Sequence, residues 1–193
     1  GIEADLTVNR LGDQDFLVVT SAGSETRDWA WLRRACRDHD VQIENVTMDY
    51  AVIGVMGPNA RSLLQPLTSA DLSNEAFGFA RMQTIDIAGV EVKALRMSYV
   101  GELGWELYLA VANAPLVYDA IVAAGPGHGL RHCGYHAMNA LRLESGYRHW
   151  GHDITDEDTP LEAGLGFAVA WEKPGGFIGK DALVAQREQP RTK

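Results

Sequence analysis

The stretch Ile85-Asp86-Ile87-Ala88-Gly89-Val90-Glu91-Val92-Lys93-Ala94-Leu95-Arg96-Met97 decides the fold class. Its first three residues alternate apolar and polar, Ala88-Gly89 supplies a turn, and residues 90–97 return as an antiparallel partner. Alternation of period two around a short glycine turn is the pattern of a hairpin with one buried face. Downstream, residues 105–111 read as a further strand. Upstream, residues 41–48 and 50–56 read as strands. Residues 6–11 and 16–20 make a second hairpin around Gly12-Asp13.

Helices fall between these strands. Residues 27–37 carry Trp29, Leu32, Ala35 and Cys36 at helical spacing, with Ser24 placed as an N-cap. Pro58 suits a first helical turn, continued by residues 60–64. Residues 115–124 read as an amphipathic helix closed by Gly125-Pro126-Gly127, and residues 135–145 as a helix stopped by Gly146. A last helix begins over residues 180–186, and Gln189-Pro190-Arg191-Thr192-Lys193 reads as a linker. Hairpins separated by helices predict an α+β fold, with mainly antiparallel or mixed sheets and packed helices, rather than a doubly wound one. The expected division is residues 1–80 as one α+β part and residues 81–193 as a second.

Composition narrows the function classes. The 193 residues carry 17 basic and 26 acidic side chains, a net charge of −9, whereas a phosphate-tracking nucleic-acid binder is normally basic. No apolar run approaches the roughly 20 residues of a membrane helix. Nucleic acid and membrane are therefore not expected as partners. Cys36 and Cys133 form no disulfide framework, and a reducing, cytoplasmic setting is expected. The chain opens directly into a strand pattern without Met, which predicts a fragment of something longer.

Two segments carry the chemistry. In Ser98-Tyr99-Val100-Gly101-Glu102-Leu103-Gly104-Trp105-Glu106-Leu107-Tyr108 the two glycines allow a tight turn, and Tyr99 and Glu106 converge on one ligand if the turn folds back. The plainer account is a strand–turn–strand with surface carboxylates. In Leu141-Arg142-Leu143-Glu144-Ser145-Gly146-Tyr147-Arg148-His149-Trp150-Gly151-His152 a helix end leads into a loop dense in aromatics and charge, the setting in which flat polar ligands stack. The alternative is a helix terminus with Arg142 and Glu144 paired inside the fold. His128, His132 and His136 are four apart, but Gly127, Gly129 and Gly134 break the helix that would align them, so no metal is expected. A phosphate loop, a dinucleotide fingerprint and a nucleophile elbow are all absent from the sequence.

Six markers in order carry a family resemblance: Gly1-Ile2-Glu3-Ala4-Asp5-Leu6-Thr7-Val8, Met56-Gly57-Pro58-Asn59-Ala60-Arg61, the segment from Ser98 to Glu106, Leu141-Arg142-Leu143-Glu144, Thr159-Pro160-Leu161-Glu162-Ala163-Gly164-Leu165-Gly166, and Phe177-Ile178-Gly179-Lys180. Over nearly its whole length the chain resembles the folate-binding domain shared by the glycine-cleavage aminomethyltransferases (the T-protein) and the dimethylglycine and sarcosine dehydrogenases. The resemblance implies tetrahydrofolate-dependent transfer of a one-carbon unit, aminomethyl or methylene. It places the catalytic carboxylate at Asp5, near the folate nitrogens N5 and N10. It places the pterin-gripping pair at Tyr99 and Glu106, with Arg142 either at the site or pairing inside the core, and Tyr147 and Trp150 as candidate walls.

The chemistry is coherent. A carboxylate accepts the fan of N–H donors on a pterin edge, an aromatic ring stacks on its face, and a fixed anion stabilises positive charge or takes a proton during transfer. The run His136-Ala137-Met138-Asn139 departs from the Ala-Ala-Arg-Asp stretch of the aminomethyltransferases, Met138 standing for an arginine, and looks closer to the dehydrogenase branch. In that branch FAD sits in a separate upstream domain, and the donor is a small-molecule amine. The resemblance further implies a ferredoxin-like first part, truncation at both ends before a C-terminal barrel, and exposed sheet edges open to homo-oligomer pairing. The alternative function is that of a non-catalytic folate-binding or scaffold relative, as in iron–sulfur cluster assembly or transfer-RNA modification GTPases. The Lys-Gly-Cys-Tyr-like stretch of the former is missing at residues 175–180.

Overall fold

A computed structural model describes residues 1–188. The hairpin that decides the fold class forms as expected: β4 (Met82–Ile87) and β5 (Val90–Leu95) pair antiparallel through the Ala88-Gly89 turn. Both turn residues adopt left-handed backbone, φ 53° and 83°, the geometry a two-residue hairpin loop requires. β3 (Tyr50–Met56) and β6 (Gly104–Ala110) complete a four-stranded antiparallel sheet of order β3-β6-β5-β4. β1 (Leu6–Arg10) and β2 (Phe16–Thr20) form a separate two-stranded sheet. The fold is thus α+β with antiparallel sheets.

Alternation along the strands sets the core face. Val55, Trp105, Leu107, Leu109, Val92, Ala94, Ile85 and Ile87 all point to one side and are buried. α2 (Ala60–Leu64) covers them with Leu63 and Leu64, and α3 (Ala114–Ala124) with Val117 and Ile121. Phe77 meets Trp105 edge-to-face at 6.0 Å. Arg61 and Arg96 bracket the same indole at 5.9 and 5.8 Å. Arg61 also bonds the Leu72 carbonyl and Asn74 Oδ1, and Arg96 bonds the Phe77 carbonyl. The arginine that closes the Met56–Arg61 marker therefore ties the loop over residues 72–77 to the sheet. Gly104 is demanded by crowding, because a Cβ there would stand 2.9 Å from Met56 Cγ and 3.0 Å from the Val55 carbonyl oxygen.

The helices are α1 (Glu25–Ala35), α2, α3, α4 (Tyr135–Glu144) and α5 (Lys180–Glu188). α1 begins before the expected residue 27, because a 3-10 turn over Ala22–Ser24 leads directly into it. The strand expected over residues 41–48 is not formed. Asn45 Oδ1 accepts the Thr47 N–H at 3.0 Å and turns the chain into a 3-10 turn, Thr47–Asp49, while Val41 and Met48 are left 56% and 86% exposed. The expected linker over residues 189–193 lies outside the described residues.

Two compact units are present. One comprises Gly1–Thr7, Thr20–Asp28 and the residues from Arg148 onward; the other comprises Val8–Val19 and Trp29–Tyr147. The boundary expected near residue 80 falls inside the second unit, where β3 hydrogen-bonds to β6 across it. Among the described residues no helix is long and apolar enough to cross a membrane.

Candidate functional site

In the second unit, Glu106 lies on β6 between Trp105 and Leu107, so its side chain leaves the sheet on the face opposite the core. It is half-buried, and its register partners are Gly54 on β3 and Leu95 on β5. Tyr108, two residues on, shares that face and is buried, and its hydroxyl donates to Glu106 Oε2. No other hydrogen bond from the described residues reaches this carboxylate, so Oε1 remains able to accept donors from a ligand. Gly54 leaves the flank of Glu106 uncovered. Neither crowding nor backbone requires glycine there: a Cβ would make only an ordinary 3.4 Å contact with Met56 Cε, and Gly54 has no positive φ.

Burial, and then the bond to Glu106, push the Tyr108 phenol far above its ordinary range. The folded state therefore holds this proton more tightly than the unfolded chain, whose phenol titrates near about 10. The stabilisation is complete below about pH 10 and is lost as pH rises through the folded value. Urea midpoints taken between about pH 9 and 11.5 are expected to fall more steeply for the wild type than for Tyr108→Phe. Equal slopes would remove the phenol from this role.

Tyr99 precedes the turn. Gly101 has φ 75°, and a Cβ on it would stand 1.9 Å from Ser145 Oγ. The turn therefore lies directly on the end of α4, where Ser145 Oγ donates to the Val100 carbonyl at 3.3 Å. This closeness sets the Tyr99 ring 6.4 Å from that of Tyr147, tilted by 37°. Arg142 resolves toward the inside. It is 2% exposed, Nε and Nη2 donate to Asn139 Oδ1 at 2.8 and 2.5 Å, and Nη1 donates to the Tyr147 carbonyl at 2.8 Å. Its guanidinium fixes the chain at Tyr147 and Asn139. Glu102 is exposed.

Asp5 belongs to the first unit, exposed and one residue before β1. Trp150 lies in that unit too, its indole N–H donating to the Ile2 carbonyl at 2.8 Å. Farther along, Thr159 and Glu162 form a reciprocal capping pair. The Thr159 N–H donates to Glu162 Oε2 at 2.9 Å and the Glu162 N–H to Thr159 Oγ1 at 3.2 Å, around one helical turn closed by Gly164 at φ 70°. The Thr159 backbone and hydroxyl hold the Glu162 carboxyl below its ordinary range. The Thr159–Gly166 marker is thus a capped turn, and the signal was the Thr-x-x-Glu spacing itself. His132 stacks on Tyr118, and His149 lies 4.4 Å from His152. Among the described residues no three His, Cys, Asp or Glu side chains gather as a metal site needs.

The residues that sequence reasoning missed are Tyr108 and Gly54. Tyr108 was readable from its place two residues after Glu106 on one strand. Gly54 was readable as a lone glycine within the apolar run over residues 50–56.

The profile of the GCVT N-terminal domain family matches residues 1–173. The chain belongs to this family. Members and relatives of the GCVT family place it further. Mouse (Mus musculus) mitochondrial dimethylglycine dehydrogenase is 44% identical over 184 residues, covering 94% of this chain and 21% of that protein. The aminomethyltransferase of Saccharopolyspora erythraea is 40% identical over 190 residues, covering 98% of this chain and 51% of that protein. Among solved structures, the glycine cleavage system aminomethyltransferase T of Bartonella henselae superposes with a TM-score of 0.80 at 27% identity, over 98% of this chain and 50% of that one. The chain thus spans about a fifth of the dehydrogenase and about half of the aminomethyltransferase.

Proposed function

We propose that this chain binds tetrahydrofolate and carries out one-carbon transfer onto it. The observation that carries the reading is the Glu106 carboxylate: half-buried, oriented by the Tyr108 hydroxyl through one oxygen, open at the other, and flanked by a glycine that packing does not require. Such a group fits the N–H edge of a reduced pterin, since the open oxygen accepts one charge-assisted donor and the second lone pair of the other oxygen can accept its neighbour. Gly54 gives a flat ring room to approach. The Tyr99 and Tyr147 rings offer an aromatic surface.

Tetrahydrofolate, when bound, supplies the nucleophilic nitrogens that accept the one-carbon unit. The protein's own tasks are then three. Glu106 and the tyrosines orient the ring. Tyr108, kept protonated by burial, holds Glu106 as an acceptor. Asp5 provides the fixed anion that offsets positive charge, or takes a proton, during transfer. The donor class we infer is an N-methylated small amine, as the name dimethylglycine dehydrogenase of the 44%-identical relative suggests.

Calorimetric titration with tetrahydrofolate tests the reading. Charged hydrogen bonds contribute about 1.5–3 kcal/mol, so Glu106→Gln is expected to weaken binding by roughly 10- to 100-fold. An unchanged dissociation constant removes Glu106 from the site and the reading with it.

A further inference from the structure

The segment leading to Asp5 is held by its backbone at three successive residues, all within the first unit. Gly1 lies against the loop at Asp156 so closely that a Cβ on it would stand 1.5 Å from the Asp156 carbonyl oxygen. The Ile2 N–H donates to the Asp158 carbonyl at 2.9 Å, and the Ile2 carbonyl accepts the Trp150 indole N–H at 2.8 Å. The Glu3 carbonyl accepts Arg27 Nη2.

These grips are themselves anchored. The Arg27 guanidinium lies 4.6 Å from the centre of the Trp150 ring, and its Nε is 3.2 Å from Asp28 Oδ1. Asp28 is buried, and its Oδ2 accepts the Thr20 hydroxyl. The loop that takes the Ile2 N–H is stiffened by Asp158 Oδ2, which accepts the Thr155 N–H at 2.8 Å. Asp5 follows two residues after the last grip and one residue before β1.

We propose that Trp150 and Arg27 are positioning residues for the Asp5 carboxylate, Trp150 acting through its indole N–H rather than as a wall of the pterin site. This rests on the reading of Asp5 as the carboxylate of the transfer step. The energetic logic separates the two roles of Trp150. A neutral hydrogen bond contributes only about 1 kcal/mol to stability, whereas misplacing a reacting group by about 1 Å costs up to roughly 100-fold in rate. A wall residue acts on ligand affinity instead. One side of the Trp150 ring already faces a guanidinium.

The test uses the intact protein, with transfer to tetrahydrofolate followed for kcat and the folate dissociation constant measured by titration. Trp150→Phe keeps a six-membered aromatic face and removes the N–H together with the five-membered ring that carries it. It is expected to lower kcat about tenfold while the folate constant stays within about twofold. Arg27→Met is expected to act in the same direction and Arg27→Lys to recover part of the loss, because a lysine can still donate to the Glu3 carbonyl. In an Asp5→Asn background, Trp150→Phe is expected to add no further loss, whereas general destabilisation would add in full. Weaker folate binding at unchanged kcat makes Trp150 a wall and overturns the proposal, as does a Trp150→Phe variant normal in both measurements. If Asp5→Asn itself retains transfer, the reading of Asp5 fails and takes the proposal with it. If Asp5→Asn is inactive and Trp150→Phe normal, the positioning claim alone fails.

Discussion

Arg142→Met is expected to lower the free energy of unfolding by about 3–5 kcal/mol, read from urea denaturation midpoints at constant slope. Arg142 is a charged side chain at 2% exposure, and its donor nitrogens serve Asn139 Oδ1 and the Tyr147 carbonyl among their partners. Methionine fills a comparable volume, so little of the loss comes from a cavity. The loss comes from part-buried acceptors stripped of their donors, Asn139 Oδ1 and the Tyr147 carbonyl among them, at about 1–3 kcal/mol each. That mechanism makes a second expectation. Replacing Asn139 by leucine in the same chain removes one stranded acceptor together with its donor, so Asn139→Leu/Arg142→Met is expected to recover about 1 kcal/mol over Arg142→Met alone. A single variant within about 0.5 kcal/mol of wild type would show that Arg142 is not the fastening of this helix end.

Gly101→Ala is expected to cost about 2–5 kcal/mol and to separate Tyr99 from Tyr147, read as a lowered unfolding midpoint and altered tyrosine fluorescence. Two independent penalties add. An L-residue at φ 75° costs about 1–2 kcal/mol. The new Cβ would also fall 1.9 Å from Ser145 Oγ and 2.6 Å from Ser145 Cβ, an overlap worth a further ~1–3 kcal/mol of displacement. The two are separable, because Ser145→Gly removes the obstructing atoms and leaves the dihedral penalty. Gly101→Ala/Ser145→Gly is therefore expected to recover the steric part alone. A Gly101→Ala protein as stable as wild type would mean the turn is not seated on α4.

The strands around the deciding hairpin were legible because their apolar residues alternate on one buried face, and Ile85, Ile87, Val90 and Val92 do pack there. Residues 41–48 alternate as well, yet form no strand. Alternation fixes which side chains share a face, whereas a strand also needs a neighbour for its hydrogen bonds, and Asn45 diverts the chain first. The candidate site divides in the same way. Tyr99 and Glu106 were readable because they stand in one motif. Gly54 becomes a neighbour of Glu106 only through the β3–β6 register, which no local pattern records. Arg142 stands equally between ligand and core from its spacing, and its burial with the guanidinium on Asn139 depends on packing that spacing does not record. The bond between Trp150 and Ile2 joins residues 148 apart, beyond the reach of any window along the chain.

The grip on the amino-terminal segment has a genetic corollary. Ile2 and Glu3 are held through peptide groups, the Ile2 N–H and the carbonyls of both, so the fastening is blind to their side chains and excludes only proline at position 2. Glu3, exposed to water, can drift among residue types without loosening it. The requirement for identity falls instead on the donors, Trp150 and Arg27, and on Gly1, where no side chain fits. Variation tolerated at Glu3 is thus underwritten by constraint at residues as distant in sequence as Trp150.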